Sequence, residues 1–141
     1  RLHYRKHIMF FEQELAQFHG RITYWHSCGN TAPMAQDVSR IGNVDLLDVS
    51  GWTDLEKVLS TIDAKNQRLE IRFNPVKDLQ DATPEHVAEQ IRHKLELCRR
   101  YDVGAFTLRV SGMQPWKGSG ADVAQIQNWI ETARREVDRI G

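Results

Sequence analysis

The sequence lacks an excess of either charge, because 19 acidic residues balance its 19 basic ones. A protein that binds nucleic acid through the phosphates needs clustered Lys and Arg, so this balance argues against such a partner. Long apolar runs are also missing, and no stretch reaches the length needed to cross a bilayer. We therefore expect neither nucleic acid nor a membrane as a partner.

Cysteine is scarce, since the chain contains only Cys28 and Cys98. Two cysteines do not make a disulfide framework, which favours a reducing cytoplasm. Cys98 shares a helical stripe with Val87, Ile91 and Leu95, so we expect it to pack in the core. The sequence does not start with Met and begins abruptly in a helical pattern, which indicates a fragment, residues 1–141, of a longer protein.

Helical and β-rich segments alternate along the chain. The patterns predict helices at residues 3–18, 31–41, 54–62, 83–101 and 121–140, and strands at 21–25, 44–49, 69–73 and 105–110. The first helix carries an apolar stripe of Ile8, Phe11, Leu15 and Phe18. Alternation predicts four parallel strands with crossover helices. Two architectures fit, a small doubly wound sheet and half of a (β/α)₈ barrel, whose whole needs roughly 250 residues.

The motif His26-Ser27-Cys28-Gly29 directly follows the first predicted strand. In both architectures chemistry lies at the carboxyl ends of the strands. A His nitrogen and a Cys thiolate two residues apart can reach one zinc ion, although zinc needs a third protein ligand. A structural role for the pair is the alternative, because an isolated Cys is often a small buried apolar residue.

Four more strand-end residues are candidates for a site. Asp48 is the candidate catalytic residue, as a general base, metal ligand or substrate contact, with a capping role as the alternative. Asn74 ends the third strand, and Arg109, like Arg72, can hold an anionic substrate or form an internal salt bridge. Ser111 begins a Gly-rich loop of the kind that binds phosphate in barrels, without a nucleotide-binding motif. We predict Asn74, Arg109 and Ser111 as substrate-binding residues.

Three segments together resemble the uroporphyrinogen decarboxylase superfamily, and most closely its cobalamin-linked methyltransferase branch. They are the strand leading into residues 26–30 (HSCGN), residues 74–87 with their Asn-Pro-Val and Ala-Thr-Pro-Glu-His-Val elements, and residues 104–108 (GAFTL) followed by a last helix with Asn128. The resemblance covers nearly all of the chain. It implies that the chain is the C-terminal half of a (β/α)₈ TIM barrel.

The resemblance also implies a function. In that branch, zinc activates a thiol-type acceptor to take a methyl group from methyl-cobamide, which implies His26 and Cys28 as zinc ligands, cobalamin as methyl donor and a corrinoid protein as a partner. The branch has a second Cys after the last strand, whereas residues 110–113 contain none. The alternatives are a decarboxylase-like lyase of porphyrin biosynthesis, whose arginines hold the carboxylates of an anionic tetrapyrrole, and a non-catalytic fragment or degenerate barrel.

Half of a barrel leaves two sheet edges without partners. We expect these edges at residues 21–25 and 105–110, and edges with unpaired backbone groups are templates for pairing. The cut is also expected to uncover inward-facing apolar side chains, namely Ile22, Leu47, Phe73 and Phe106. These features predict that the isolated fragment is inactive and self-associates as a dimer or higher oligomer.

Overall fold

The computed structural model describes residues 1–112 and 114–139. The helices are α1 (Leu2–His7), α2 (Met9–His19), α3 (Ala35–Val38), α4 (Leu55–Leu59), α5 (Pro75–Asp78), α6 (Pro84–Arg100) and α7 (Ser119–Asp138). The strands are β1 (Leu46–Val49), β2 (Arg68–Phe73) and β3 (Phe106–Val110). The predicted end of the last helix at Ile140 lies outside the described residues. The fold is mixed α/β, as the alternation predicted.

The sheet is open and fully parallel, with its strands in the order β1-β2-β3. The predicted strand at residues 21–25 is wrong as a continuous strand. Its neighbour and direction are nevertheless as predicted, because two isolated parallel bridges join Ile22 to Val44 and Trp25 to Leu47. The chain bends at Thr23 in one segment and at Asp45 in the other. The backbone hydrogen bonds between the two segments are made at Ile22 and again at Trp25.

The predicted first helix is two helices. The chain leaves helical geometry at Ile8, with φ −123° and ψ −50°, and this break lets α1 pack against α2. Tyr4 is then buried and its hydroxyl donates to the Glu12 carboxylate. The apolar stripe at Ile8, Phe11, Leu15 and Phe18 does not enter the core, since all four side chains are exposed.

Two other helix predictions need correction, one helix was not predicted, and one prediction is confirmed. The predicted helix at 31–41 shortens to four residues, because residues 32–34 form turns before it. The predicted helix at 54–62 is confined to α4, where the Asp54 side chain caps the Lys57 amide. The sequence pattern missed α5. On α6 the prediction is confirmed: Thr83 caps the His86 amide, Pro84 occupies the first turn, and Cys98 is buried in the core.

One face of the sheet supplies the core. Alternate side chains of β1 and β2 point to this face and are at most 2% exposed: Leu47, Val49, Leu69, Ile71 and Phe73. Two apolar clusters cover them, and both clusters draw their β1–β3 side chains from this face alone. The prediction that Ile22, Leu47, Phe73 and Phe106 are uncovered is wrong, because all four side chains pack in these clusters.

The opposite face of the sheet is polar. It carries Leu46 and Asp48 from β1, Arg68, Glu70 and Arg72 from β2, and Thr107 and Arg109 from β3, with Asp48, Glu70 and Thr107 aligned across the register. No residue of this set belongs to either apolar cluster in the described chain. A period of two in the strands therefore separates an apolar face under helices from a charged face.

Gly104, just before β3, gives a test of this packing. A Cβ placed there would lie 2.1 Å from the backbone oxygen of Lys65, which has no room to move. We expect Gly104→Ala to lower the free energy of unfolding by about 2 kcal/mol, as overpacked sites do. Urea unfolding measures this loss. Gly120→Ala is the control, since its Cβ meets open space. Equal losses in the two variants would contradict the close approach.

Candidate active site

Asp48 lies near the carboxyl end of β1 and points to the polar face of the sheet. Its side chain is fully buried. One carboxylate oxygen, Oδ2, lies 2.5 Å from Nδ1 of His26 and accepts from the backbone N–H of Ser27 at 3.2 Å. The bridge between Trp25 and Leu47 places His26 beside β1 and so allows this contact. Asp48 thus holds the predicted histidine motif at the end of the sheet.

Cys28 lies on the other side of the imidazole. Its Sγ is 3.2 Å from Nε2 of His26. Because a carboxylate accepts hydrogen bonds and does not donate them, the Asp48 contact places the imidazole proton on Nδ1. The Nε2 lone pair is then directed at the sulfur. The chain brings together a thiol, an imidazole and a buried carboxylate, and the thiol is exposed to solvent.

The loop that carries Cys28 is tied to the next strand end. The Ser50 hydroxyl donates to the backbone oxygen of Gly29 at 2.7 Å. The backbone N–H of Thr31 donates to the Thr53 hydroxyl at 2.9 Å, in a buried position. Side chains of the loop that follows β1 therefore hold the segment after His26 in place.

Arg72 supplies the positive charge next to Asp48. The Nε atom of Arg72 is 3.0 Å from Oδ1 of Asp48. The one hydrogen on Nε is directed at Oε1 of Glu70, 2.8 Å away, and not at Asp48. Oδ1 therefore has an ion partner and no aligned donor among the described residues. The Arg72 side chain is 11% exposed, so its charge acts where solvent screening is weak.

Glu70 connects this pair to two further side chains. It accepts from the Tyr24 hydroxyl at 2.6 Å, and Nη1 of Arg109 is 3.5 Å away. Burial would raise the pKa of Glu70, but the hydrogen bonds from Tyr24 and Arg72 outweigh it and hold that pKa below its usual value. The Tyr24 ring stacks on His26, with centroids 5.9 Å apart.

Sequence reasoning missed Tyr24 and Glu70. A signal for Glu70 was present in β2, where Glu70 and Arg72 alternate with the apolar Leu69, Ile71 and Phe73. Two charged residues at a period of two in a buried strand indicate a charged sheet face. No comparable signal marked Tyr24, which reaches Glu70 only because residues 22–25 lie alongside β1.

The three predicted substrate-binding residues have different surroundings. Arg109 lies on the polar face, is 59% exposed and pairs only loosely with Glu70. Asn74 is buried and caps α5, its Oδ1 accepting from the N–H groups of Val76 and Lys77. Ser111 is buried, and its hydroxyl has no partner among the described residues. No hydrogen bond in the described part of the chain joins Asn74 or Ser111 to the Cys28–His26–Asp48 cluster.

The donor set for a metal is incomplete in the described residues. Within residues 1–112 and 114–139, no group of three or more His, Cys, Asp or Glu side chains is arranged to hold a metal ion. His26 and Cys28 are the pair that converges, while Asp48 occupies the other imidazole nitrogen. Cys98 is remote from them in the core, where burial raises its pKa to about 11.

No known protein family, curated protein or solved structure matches this chain. In the described part of the chain, none of the helices has the length and apolar character needed to span a membrane.

The two cysteines should differ sharply in reactivity. Cys28 is exposed beside an imidazole, whereas Cys98 is 3% exposed with a raised pKa. A thiolate is the reactive form, so we expect one thiol to react with Ellman's reagent in the folded protein and two after unfolding. Cys28→Ser should abolish the native reaction and Cys98→Ser should leave it unchanged. Equal labelling of both thiols in the folded chain would contradict the described environments.

Glu70 should make stability depend on pH. Its pKa in the folded protein is below the unfolded value, so its contribution is present above that unfolded value, about 4.3, and is lost as pH falls through the folded one. We expect Glu70→Gln to cost about 2 kcal/mol at pH 7, since it removes hydrogen bonds to a charged group. The cost should shrink at pH 3. Urea unfolding at both pH values measures it, with exposed Glu89→Gln as control; a loss independent of pH would refute the assignment.

Proposed function

We propose that this chain is the C-terminal half of a (β/α)₈ barrel similar to the uroporphyrinogen decarboxylase superfamily. The full-length protein would transfer a methyl group from methyl-cobamide to a thiol-type acceptor with the help of zinc. The observation that carries the proposal is the convergence of His26 Nε2 and Cys28 Sγ, 3.2 Å apart, at a strand end with Asp48 behind the imidazole.

Several features of the sheet support the barrel. The strands follow one another in sequence order, with no reversal of the kind that marks a doubly wound sheet. The core lies on one face, and the other face carries Asp48, Glu70, Arg72 and Arg109. A barrel needs helices outside its sheet and polar side chains at the carboxyl ends of its strands. The apolar face under helices and the position of Asp48 near the end of β1 support this reading.

The donor atoms fit two positions of a zinc site. Zn–N bonds of about 2.0 Å and Zn–S bonds of about 2.3 Å at a tetrahedral angle place the two ligand atoms roughly 3.5 Å apart. The observed separation of 3.2 Å is close to this value. Zinc-binding histidines usually donate their second N–H to a carboxylate, which is the role of Asp48 here. The remaining ligands would come from outside residues 1–141, because no third His, Cys, Asp or Glu is arranged with this pair in the described residues.

Zinc held at this position would favour the thiolate form of a bound thiol acceptor. The chain's own residues would prepare the site. Asp48 holds the proton on Nδ1 of His26 and leaves Nε2 free to bind, and Arg72 balances the buried charge of Asp48. Arg109, more than half exposed, faces the same side and is available to a small anionic group. The free, exposed Cys28 thiol fits a reducing cytoplasm. There the full-length protein would meet a corrinoid protein as methyl donor.

A decarboxylase acting on an anionic tetrapyrrole is the second candidate, and Arg109 is the observation that favours it. Several carboxylates require several available arginines. Arg72 is already bound to Glu70, Asp48 and Tyr24, whereas Arg109 and the exposed Arg68 at the start of β2 remain accessible on the polar face. This arrangement supports the methyltransferase proposal better.

Zinc binding tests the proposal directly. We expect the full-length protein, which would supply the remaining ligands, to bind Zn²⁺ in a competition assay with a chromophoric chelator. His26→Ala and Cys28→Ser should each abolish binding, because each removes a ligand. Asp48→Asn should weaken zinc binding by about 10–100-fold, the usual effect of losing the carboxylate that is hydrogen-bonded to a zinc-binding histidine. Cys98→Ser and His86→Ala are the controls and should bind as the parent does. Zinc affinity unaffected by His26→Ala and Cys28→Ser would overturn the ligand assignment.

In the full-length protein the same substitutions should abolish methyl transfer from methylcobalamin to a thiol, followed by the loss of the methyl–cobalt absorbance. Retained transfer in Cys28→Ser would reject the methyltransferase site even if zinc were bound.

A further inference from the structure

The outer edge of β3 has unpaired backbone groups. On its inner side, Leu69 N–H donates to Ala105 O, and Ser111 N–H donates to Phe73 O. Because N–H groups alternate in direction along a strand, the N–H groups of Phe106, Leu108 and Val110 are turned to the open edge. In the described residues no strand pairs with that edge. A row of such groups is a template for another strand.

An apolar groove lies beside this edge. It has a volume of about 450 Å³ and runs between β3 and α7, lined by Phe106, Leu108, Trp129, Ile130, Ala133 and Val137. On α7, Ile130 and Val137 are 38% and 42% exposed. They are seven residues apart, so they lie on one side of the helix. This groove is a surface that another helix and strand would cover.

The other end of the sheet is also open and apolar. There, residues 22–25 touch β1 on one side, and no strand of the described chain pairs with their other side. The neighbouring helix α2 exposes Phe11, Leu15 and Phe18 by 61%, 53% and 83%. Large apolar side chains at this density are typical of an interaction surface.

The buried carboxylates of the polar face are paired. Asp48 and Glu70 are matched by Arg72 and Arg109, while Arg68 lies exposed at the start of β2 on the same face. A carboxylate enclosed without a partner would be costly, whereas covering this face leaves both of these carboxylates matched. The chain therefore tolerates a closed sheet in which this face lies inside.

We propose that, when this chain is separated from the other half of its barrel, a second copy of it covers both ends of the sheet. The β3 edge and α7 groove of one copy would pair with the residue 22–25 edge and α2 stripe of the other, and the reverse pairing would form the second seam. The three strands and the residue 22–25 segment of each copy would then form a closed ring of eight parallel segments around a two-fold axis. A second copy fits because it presents a parallel edge with its helices on the matching side. The inference rests on the half-barrel part of the proposed function and is independent of zinc.

Two charged variants and their mixture test this pairing. Phe11→Glu/Phe18→Glu places acids on α2, and Ile130→Lys/Val137→Lys places bases on the α7 groove; all four positions are exposed. Sedimentation equilibrium should show a dimer for the parent chain. Each variant alone carries one altered surface in both seams, so its dissociation constant should rise by about tenfold or more. An equimolar mixture should recover the dimer, because one seam is unaltered and the other joins Glu to Lys.

Val76→Glu is the matched control, since Val76 is 62% exposed on α5 and away from both edges; this variant should remain a dimer. Circular dichroism and urea unfolding must show that each variant is folded. A variant that does not fold is replaced by one with Ser at the same positions.

A monomeric parent chain overturns the proposal. Disruption by the α2 variant alone, or a mixture that stays monomeric, also overturns it and indicates another occupant. A monomeric chain whose full-length protein binds zinc through His26 and Cys28 rejects only the pairing. A dimeric chain whose full-length protein does not bind zinc rejects only the zinc site of the proposed function.

Discussion

The buried carboxylate of Asp48 determines the geometry of the candidate site. A charge removed from water costs several kcal/mol unless it is paired and hydrogen-bonded. Here the compensation comes from Arg72, the Ser27 amide and Nδ1 of His26, so each of these groups is held where Asp48 requires it. Arg72 is held in turn by Glu70. The direction of the His26 ring, and hence its contact with Cys28, follows from this chain of contacts.

The division of the sheet into two faces connects that site to the fold. Apolar side chains of all three strands lie under the helices, and this leaves the charged residues of the same strands together on the other face. Parallel pairing places the ends of neighbouring strands side by side, so residues far apart in sequence, such as Tyr24 and Glu70, come into contact. Packing on one face thus concentrates polar chemistry on the other.

Local patterns predicted the alternation of strands and helices, the core position of Cys98 and the strand-end position of Asp48, because these depend on periodicity and capping. The contacts of Glu70 with Tyr24 depend on the alignment between segments, which no local pattern encodes. Asn74 shows that one pattern can have two meanings. Its position before Pro75 is also the pattern of a helix cap, and the structure uses it as one. The sequence predicted the apolar stripe of α2 but not its exposure, because periodicity identifies an apolar helix face and does not tell what covers it.

The interrupted pairing of residues 22–25 has a consequence for the persistence of the site. In the described residues, backbone hydrogen bonds join this segment to residues 43–48 at Ile22 and Trp25, whereas β2 is bonded along both sides. Local opening requires the least free energy where the fewest such bonds must break. Amide hydrogens near residues 22–25 would therefore exchange with solvent ahead of those in β2. Since His26 follows this segment directly, each opening would separate the imidazole from Asp48, and the site would exist only while this weakly held edge is closed.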